Sequence, residues 1–253
     1  MTTSKPTLPQ AETSLPRVTA TEQAGHLLLL FGLASLAGIW RWWRSQRPAW
    51  LVLPILGQLA TVLLAWMFRS PERHAVSDGR VVLAPADGHV TRVDQVQEAR
   101  FGPGPCWRIT TRSAWHDVQV HRAPVAGAVS LRRYEVQPSR PGEQHACWIG
   151  IAALDDANDA NAQPAANAFI LVHFVTSTAW RLVPGYAARR LYAWADLGEE
   201  VRAGQEIGLM PLGGLVETFV PVAASIRIRA GQTVRAGETV VAMLPAAHGA
   251  APQ

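Results

Sequence analysis

Hydrophobic and polar positions divide this chain into two regimes. From Ala49 to Phe68 the sequence AWLVLPILGQLATVLLAWMF runs 20 residues without a charge, and as a helix rising about 1.5 Å per residue it covers about 30 Å, one hydrocarbon core. An earlier run, Leu27 to Trp40 (LLLLFGLASLAGIW), has 14 residues. At about 21 Å it fits a tilted or re-entrant partner, and the two runs together predict a helical hairpin. Between them lies RWWRSQRP. Trp40, Trp42, Trp43, Trp50 and Trp66, half of the ten tryptophans, sit at the ends of the runs, as in an interfacial aromatic belt. Tryptophan and arginine massed there favour a membrane over a pair of buried core helices. Glu12 and Glu22 in the preceding tail, and the lack of a small-residue cleavage pattern, argue against a cleaved signal peptide. Arginines flank both ends of the second run and leave its orientation open.

After Arg73 the pattern changes to short Val/Ile/Leu runs punctuated by Gly, Pro and Asp, such as GRVVLAPADGHVTRV from Gly79, CWRITTR from Cys106 and NAFILVHFV from Asn167. These read as strands and turns of a mainly β domain. LDDANDANAQPAANA from Leu154 has no hydrophobic period and reads as an exposed loop. GEEVRAGQEIGLM from Gly198 and GQTVRAGETVVAM from Gly231 repeat each other at a 33-residue offset, each as strand, glycine turn and strand. With APADGHV upstream, they predict a barrel-sandwich-like soluble domain like that of biotinyl and lipoyl carriers. Carrier function fails, because the swinging arm needs a hairpin lysine and Lys5 is the only lysine. The resulting organisation is a polar tail over 1–23, a membrane-associated helical hairpin over 24–70, the β domain over 71–246 and a tail over 247–253.

Composition adds little. The net charge of +4 comes from arginines spread along the chain, which argues against a nucleic-acid partner. Cys106 and Cys147 stand in no metal or disulfide spacing and read as free, partly buried thiols. His116 and His121, read on one strand, would point to opposite faces, and His173 stands singly within FILVHFV, so no metal site is indicated.

Four stretches in order resemble the phosphatidylserine decarboxylase family in its short bacterial and archaeal-type form. They are MFRSPER from Met67, LAPADGHV from Leu83, DVQVHRAPVAG from Asp117, and the region from AARRL at Ala187 through GQEIGLMPLGGLVETFVP to GQTVRAGETVVA. The resemblance covers about residues 26–243 and implies a pyruvoyl enzyme that makes phosphatidylethanolamine from phosphatidylserine. In that family a serine after glycine attacks its own preceding carbonyl, and the pyruvoyl group left behind serves as the electron sink for loss of CO₂. An Asp and a His assist in the manner of a triad. Carried over, the Asp is Asp87, which taken alone is equally a turn residue before Gly88.

The departures fall on the chemistry. An ungapped match places the family serine at Gly214, after Gly213, and glycine has no Oγ to begin the acyl shift. Ser225 is a poor substitute. The family histidine falls at Gln119, an amide that accepts no proton at neutral pH. His121, two residues on, is a displaced base or a packing histidine. The resemblance implies headgroup contacts at Arg122, Arg189 and Arg190, with structural pairing open for the last two. The expectation is a membrane-anchored homologue that does not self-process, carries no cofactor and retains a site for phosphatidylserine or a related headgroup. It belongs to a bilayer, expected to be a bacterial inner membrane, with a homo-oligomer or an active paralogue open as partner. The alternatives are a decarboxylase with an atypical route to its carbonyl cofactor and a membrane adaptor.

Overall fold

A computed structural model describes residues 20–67, 69–75, 79–139, 142–154, 164–176 and 191–245. The N-terminal runs fold as a hairpin of α1 (Ala20–Ser45) and α2 (Val52–Met67), joined through a 3-10 turn at Pro48–Leu51. Pro48 cannot continue the first helix and disfavours helical backbone at the residue before it, and Gln46 turns the chain with φ of 55°. Small residues let the helices touch: a Cβ on Gly38 would lie 2.6 Å from Pro54 Cδ, and one on Gly57 would strike the Ser35 hydroxyl. The 20-residue apolar run is therefore not one span. Its first residues make the hairpin corner, and α2 keeps 16 residues, about 24 Å. Among the described residues no helix is long and apolar enough to cross a membrane.

The rest is mainly β, as expected. Its strands are β1 (Val81–Leu83), β2 (Gly88–Gln97), β3 (Pro105–Ser113), β4 (Val120–Arg122), β5 (Gly127–Ser139), β6 (Gly142–Leu154), β7 (Pro164–Thr176), β8 (Tyr192–Ala193), β9 (Glu200–Val201), β10 (Glu206–Leu209), β11 (Gly214–Pro221), β12 (Ser225–Ile226), β13 (Thr233–Val234) and β14 (Val240–Met243). The largest antiparallel sheet runs β13-β2-β3-β11-β7-β6-β5-β9, with two three-stranded sheets, β1-β14-β12 and β4-β10-β8, beside it. Alternation along its strands sends Ile109, Ile149, Ile151, Val172, Phe174 and Val216 into the main core. Both cysteines are free and buried, as Cys106 and Cys147 packing residues.

The repeat organises these sheets, and it has a part that the strand pattern alone did not disclose. A-P-x-x-G-x-V occurs at Ala84 and again at Ala123. Each copy pairs with one copy of the C-terminal repeat: β1 with β14 and β2 with β13, then β4 with β10 and β5 with β9. The two units interlock reciprocally. Leu83 N–H donates to the Pro124 carbonyl at 2.8 Å and Arg122 N–H to that of Pro85 at 2.9 Å. Gly204 N–H donates to Ala123 and Gly237 N–H to Ala84, both at 2.8 Å. Both glycines have positive φ, 77° and 72°, and close approach at the junction adds a steric demand.

Two local expectations are corrected. Pro164–Asn167 belongs to β7 rather than to a loop, since backbone pairing with β6 requires no hydrophobic period; the middle of that loop, 155–163, lies outside the described residues. His116 sits in the turn after β3 instead of on a strand, so the opposite-face argument for it and His121 does not apply.

The junction makes a measurable difference between two glycines of similar φ. Gly198 (φ 83°) faces open space, whereas a Cβ on Gly204 would lie 2.6 Å from Ala75 Cβ. Gly198→Ala is expected to cost about 1 kcal/mol and Gly204→Ala about 2 kcal/mol or more, read as urea unfolding of the detergent-solubilised chain. Equal costs would show that the junction is loosely packed.

Candidate functional site

The Gly213–Gly214 peptide lies at the end of a tight turn between β10 and β11. Met210 accepts the Gly213 N–H at 3.4 Å, closing the turn Met210-Pro211-Leu212-Gly213. Proline suits its second position, but Leu212 takes φ of 68°, a costly conformation for a residue with a Cβ. Gly214 then enters the large sheet between Ser113 of β3 and Thr176 of β7. A Cβ there would run into the Val175 carbonyl oxygen and come within 2.8 Å of Met210 Sδ. Met210 is fully buried. At the position that the resemblance assigns to the self-processing serine there is thus no hydroxyl, and its place is filled by a thioether and a backbone carbonyl. A pyruvoyl group does not fit these residues.

Gln119, fully buried just before β4, meets the peptide that precedes it, Leu212–Gly213. Its Oε1 accepts the Gly213 N–H at 2.6 Å, while Nε2 donates to the Asp117 carbonyl at 2.7 Å and the Ala114 carbonyl at 2.9 Å. The backbone adds a bond from Met210 N–H to the Gln119 carbonyl at 3.1 Å. A side-chain amide, donor at one end and acceptor at the other, satisfies both sides here. The sequence motifs for Gln119 and Gly213 do converge, but as a fastening between two turns.

Asp87 is engaged elsewhere. Its carboxylate accepts two bonds from Arg73, at 2.6 and 2.8 Å, and one from the Ala236 N–H at 2.7 Å. Arg73 also donates to the Ala236 carbonyl at 2.7 Å. His121, on β4, stacks on Phe174 with centroids 4.8 Å apart, and neither ring nitrogen has a hydrogen-bond partner among the described residues. Burial pushes its pKa down to about 4, against the opposing pull of the Asp87 charge. It is a neutral imidazole at neutral pH.

Arg122 is drawn into the junction. It donates to the carbonyls of Gly204 and Pro71, each at 2.9 Å, to Ser70 Oγ at 3.3 Å and to Glu206 at 3.2 Å. Arg189 and Arg190 lie outside the described residues. Three contributors were not assigned from sequence. Arg73 stood within MFRSPER, whose position before Asp87 gave no hint of the pairing. Met210 carries no motif. Ser113, opposite Gly214, keeps a buried hydroxyl without a partner among the described residues.

Comparison with known proteins accords with this arrangement of motifs. The sequence model for phosphatidylserine decarboxylase matches residues 61–242. The phosphatidylserine decarboxylase proenzyme of Gluconacetobacter diazotrophicus is 33% identical over 224 residues, covering 87% of this chain and 92% of that one. That of Symbiobacterium thermophilum is 32% identical over 200 residues (78% and 85%), and that of Saccharopolyspora erythraea 30% over 203 (78% and 80%). No solved structure gives a significant match. These likenesses define a protein of phospholipid metabolism on a mainly β scaffold. The chain belongs to the phosphatidylserine decarboxylase family.

His121 should leave a mark on stability. Because its folded pKa lies below the ordinary value of 6.5, the unfolded chain takes up the proton first, so its contribution is intact above pH 6.5 and is lost as pH falls toward 4. The loss is on the order of 3 kcal/mol at pH 4. Urea unfolding from pH 7.5 to 4 is expected to show a difference slope between the native chain and His121→Phe, and parallel curves would refute it.

Proposed function

We propose that this protein is a membrane-held member of its family that remains one uncut chain: a pseudoenzyme of phospholipid metabolism that retains a site for a phospholipid headgroup. The observation that carries this reading is Gly214, without Oγ and without room for a side chain, beside a Gly213 fastened by Gln119. An uncharged amide replaces the base and a glycine replaces the nucleophile, so both parts of the self-processing step are missing together. The chain accordingly carries no pyruvoyl group and needs no external cofactor.

The proposed organisation keeps the sequence divisions: tail 1–23, hairpin 24–70, lipid-headgroup domain 71–246 and tail 247–253. The hairpin supports bilayer attachment through its surface. Leu29, Leu33, Leu36, Ile55, Leu59 and Val62 are each more than half exposed to solvent in the isolated chain, more apolar surface than a water-facing hairpin sustains. With α2 only 16 residues long and no described helix both long and apolar enough to cross, the hairpin is read as entering the membrane without spanning it, a monotopic attachment to a bacterial inner membrane. Asp87, bound by Arg73, and Arg122, bound in the junction, take structural parts. Any headgroup contact therefore falls to Ser113, opposite Gly214, to His121, whose ring nitrogens have no partner among the described residues, or to Arg189 and Arg190.

Intact mass of the purified chain under denaturing conditions decides the central claim. One species of full mass is expected; two fragments divided between Gly213 and Gly214, the second bearing a carbonyl group, would overturn it. Gly214→Ser alone is expected to yield no cleavage, because Gln119 is no base and the new side chain meets Val175 and Met210. Cleavage by that single variant would show that Gln119 does not limit processing.

A further inference from the structure

We propose that the edge of the β domain around Gly213–Gly214 is itself a bilayer-contact surface, anchored by Trp115 among the headgroups of an anionic membrane. This rests on the preceding reading that the hairpin lies in the bilayer and adds the depth and orientation of the domain.

The geometry begins where the apolar run of α2 ends. Trp66, in its last turn, meets Trp115 of the turn after β3 edge-to-face, with centroids 6.1 Å apart and planes at 67°. The Arg69 guanidinium lies over the other ring, 4.4 Å from the Trp66 centroid. Trp66 and Trp115 remain 40% and 41% exposed, far more than a tryptophan pair in a closed interface. A tryptophan at the end of an apolar run marks the headgroup level. Since Trp115 touches that residue, it lies at the same level.

The strands carry the surface onward. Arg112, exposed and three residues before Trp115, is the cross-strand partner of Leu215, which is 40% exposed and next to Gly214. Directly opposite residues share a face, so an arginine and a leucine stand together beside the Trp115 turn. His116, largely exposed, completes the rim.

Charge selects the occupant. Between Glu22 and Glu72 the sequence holds no acidic residue but does hold Arg41, Arg44, Arg47 and Arg69. In the Trp115 turn the one carboxylate, Asp117, is taken up within the turn: it accepts the Ala114 N–H at 2.7 Å and lies 3.9 Å from His116 Nε2. Tryptophan and leucine beside Arg112 and Arg69 match an anionic headgroup layer over an apolar interior. The Trp115 turn is held at Ala114 and Asp117 by Gln119, which also holds Gly213, so the peptide at the centre of the site is fastened to the part of the domain that meets lipid.

The test uses the full-length chain on vesicles of phosphatidylglycerol and phosphatidylcholine. Trp115→Cys is labelled with an environment-sensitive NBD probe, with Leu197→Cys, on the turn before edge strand β9, as the control. Native Cys106 and Cys147 are buried, and burial pushes the Cys147 thiol up to about 12, so neither competes for label. Expected are a blue-shifted emission at position 115, quenched by shallow doxyl-labelled lipid, and neither effect at 197. A water-like, unquenched label at 115 on protein that floats with the vesicles overturns this inference while the hairpin reading stands. Failure of the unlabelled chain to float with vesicles overturns both. In a second arm, Arg112→Glu is expected to weaken binding to phosphatidylglycerol vesicles about tenfold, and unchanged binding would overturn the anionic character of the surface.

Discussion

The bidentate pairing of Arg73 with Asp87 is the constraint around which the domain closes. Arg73 arrives on the segment that leaves the hairpin; Asp87 belongs to the first A-P-x-x-G copy; the Ala236 backbone, bonded to both, belongs to the C-terminal repeat. One ion pair therefore joins three parts of the chain that are remote in sequence. Its side chains are 6% and 14% exposed, and at such burial removal of either partner leaves a charge without compensation, a penalty of about 3–5 kcal/mol. Arg122 makes the complementary tie on the other unit, reaching Gly204, Pro71 and Ser70. Charges that a catalytic reading would spend on substrate are here spent on holding the hairpin connector against the two glycine turns.

The residues around Gly214 fit one another as a group. With no side chain at Gly214, Met210 fills the space, and an unbranched, polarizable thioether suits an irregular gap. Gln119 gives the Gly213 N–H a closer acceptor, at 2.6 Å against 3.4 Å for the Met210 carbonyl, and uses its own amide hydrogens on two carbonyls of the neighbouring turn. The backbone strain at Leu212 persists within these restraints. Among the described residues, Ser113 Oγ, opposite Gly214, and both ring nitrogens of His121 are buried without a protein partner, as are single nitrogens of Arg122, Trp148 and His173. Polar groups in that condition carry a desolvation cost, the cost a bound polar ligand would remove.

Periodicity made the hairpin legible, but not its length, because the Pro48 corner consumes residues that hydropathy counts as membrane span. The strands and the Gly198/Gly231 repeat were readable from turn residues and β-branched runs. The other half of the repeat was present as A-P-x-x-G-x-V, yet only strand pairing showed that Ala84 and Ala123 are equivalent. At the site, Gly214 and Gln119 were identifiable by their place in motifs, and the bond between Gln119 and Gly213 was not, since it joins residues far apart in sequence. Asp87 and Arg122 illustrate the limit of motif transfer. A motif assigns a residue type to a place, while the neighbours decide whether its charge is free.

The interlocked repeat has a further consequence for the peptide bond at its centre. Beyond Gly214 the chain runs as β11 between β3 and β7, sends β13 to β2 and returns β14 to β1. The C-terminal piece is thus laced into the N-terminal piece at several edges, and the covalent link at Gly213–Gly214 contributes little to holding the particle together. Strand pairing at several edges, and not that one bond alone, ties the two sides together. Substitutions confined to the neighbourhood of that one turn therefore leave the architecture with its other seams in place.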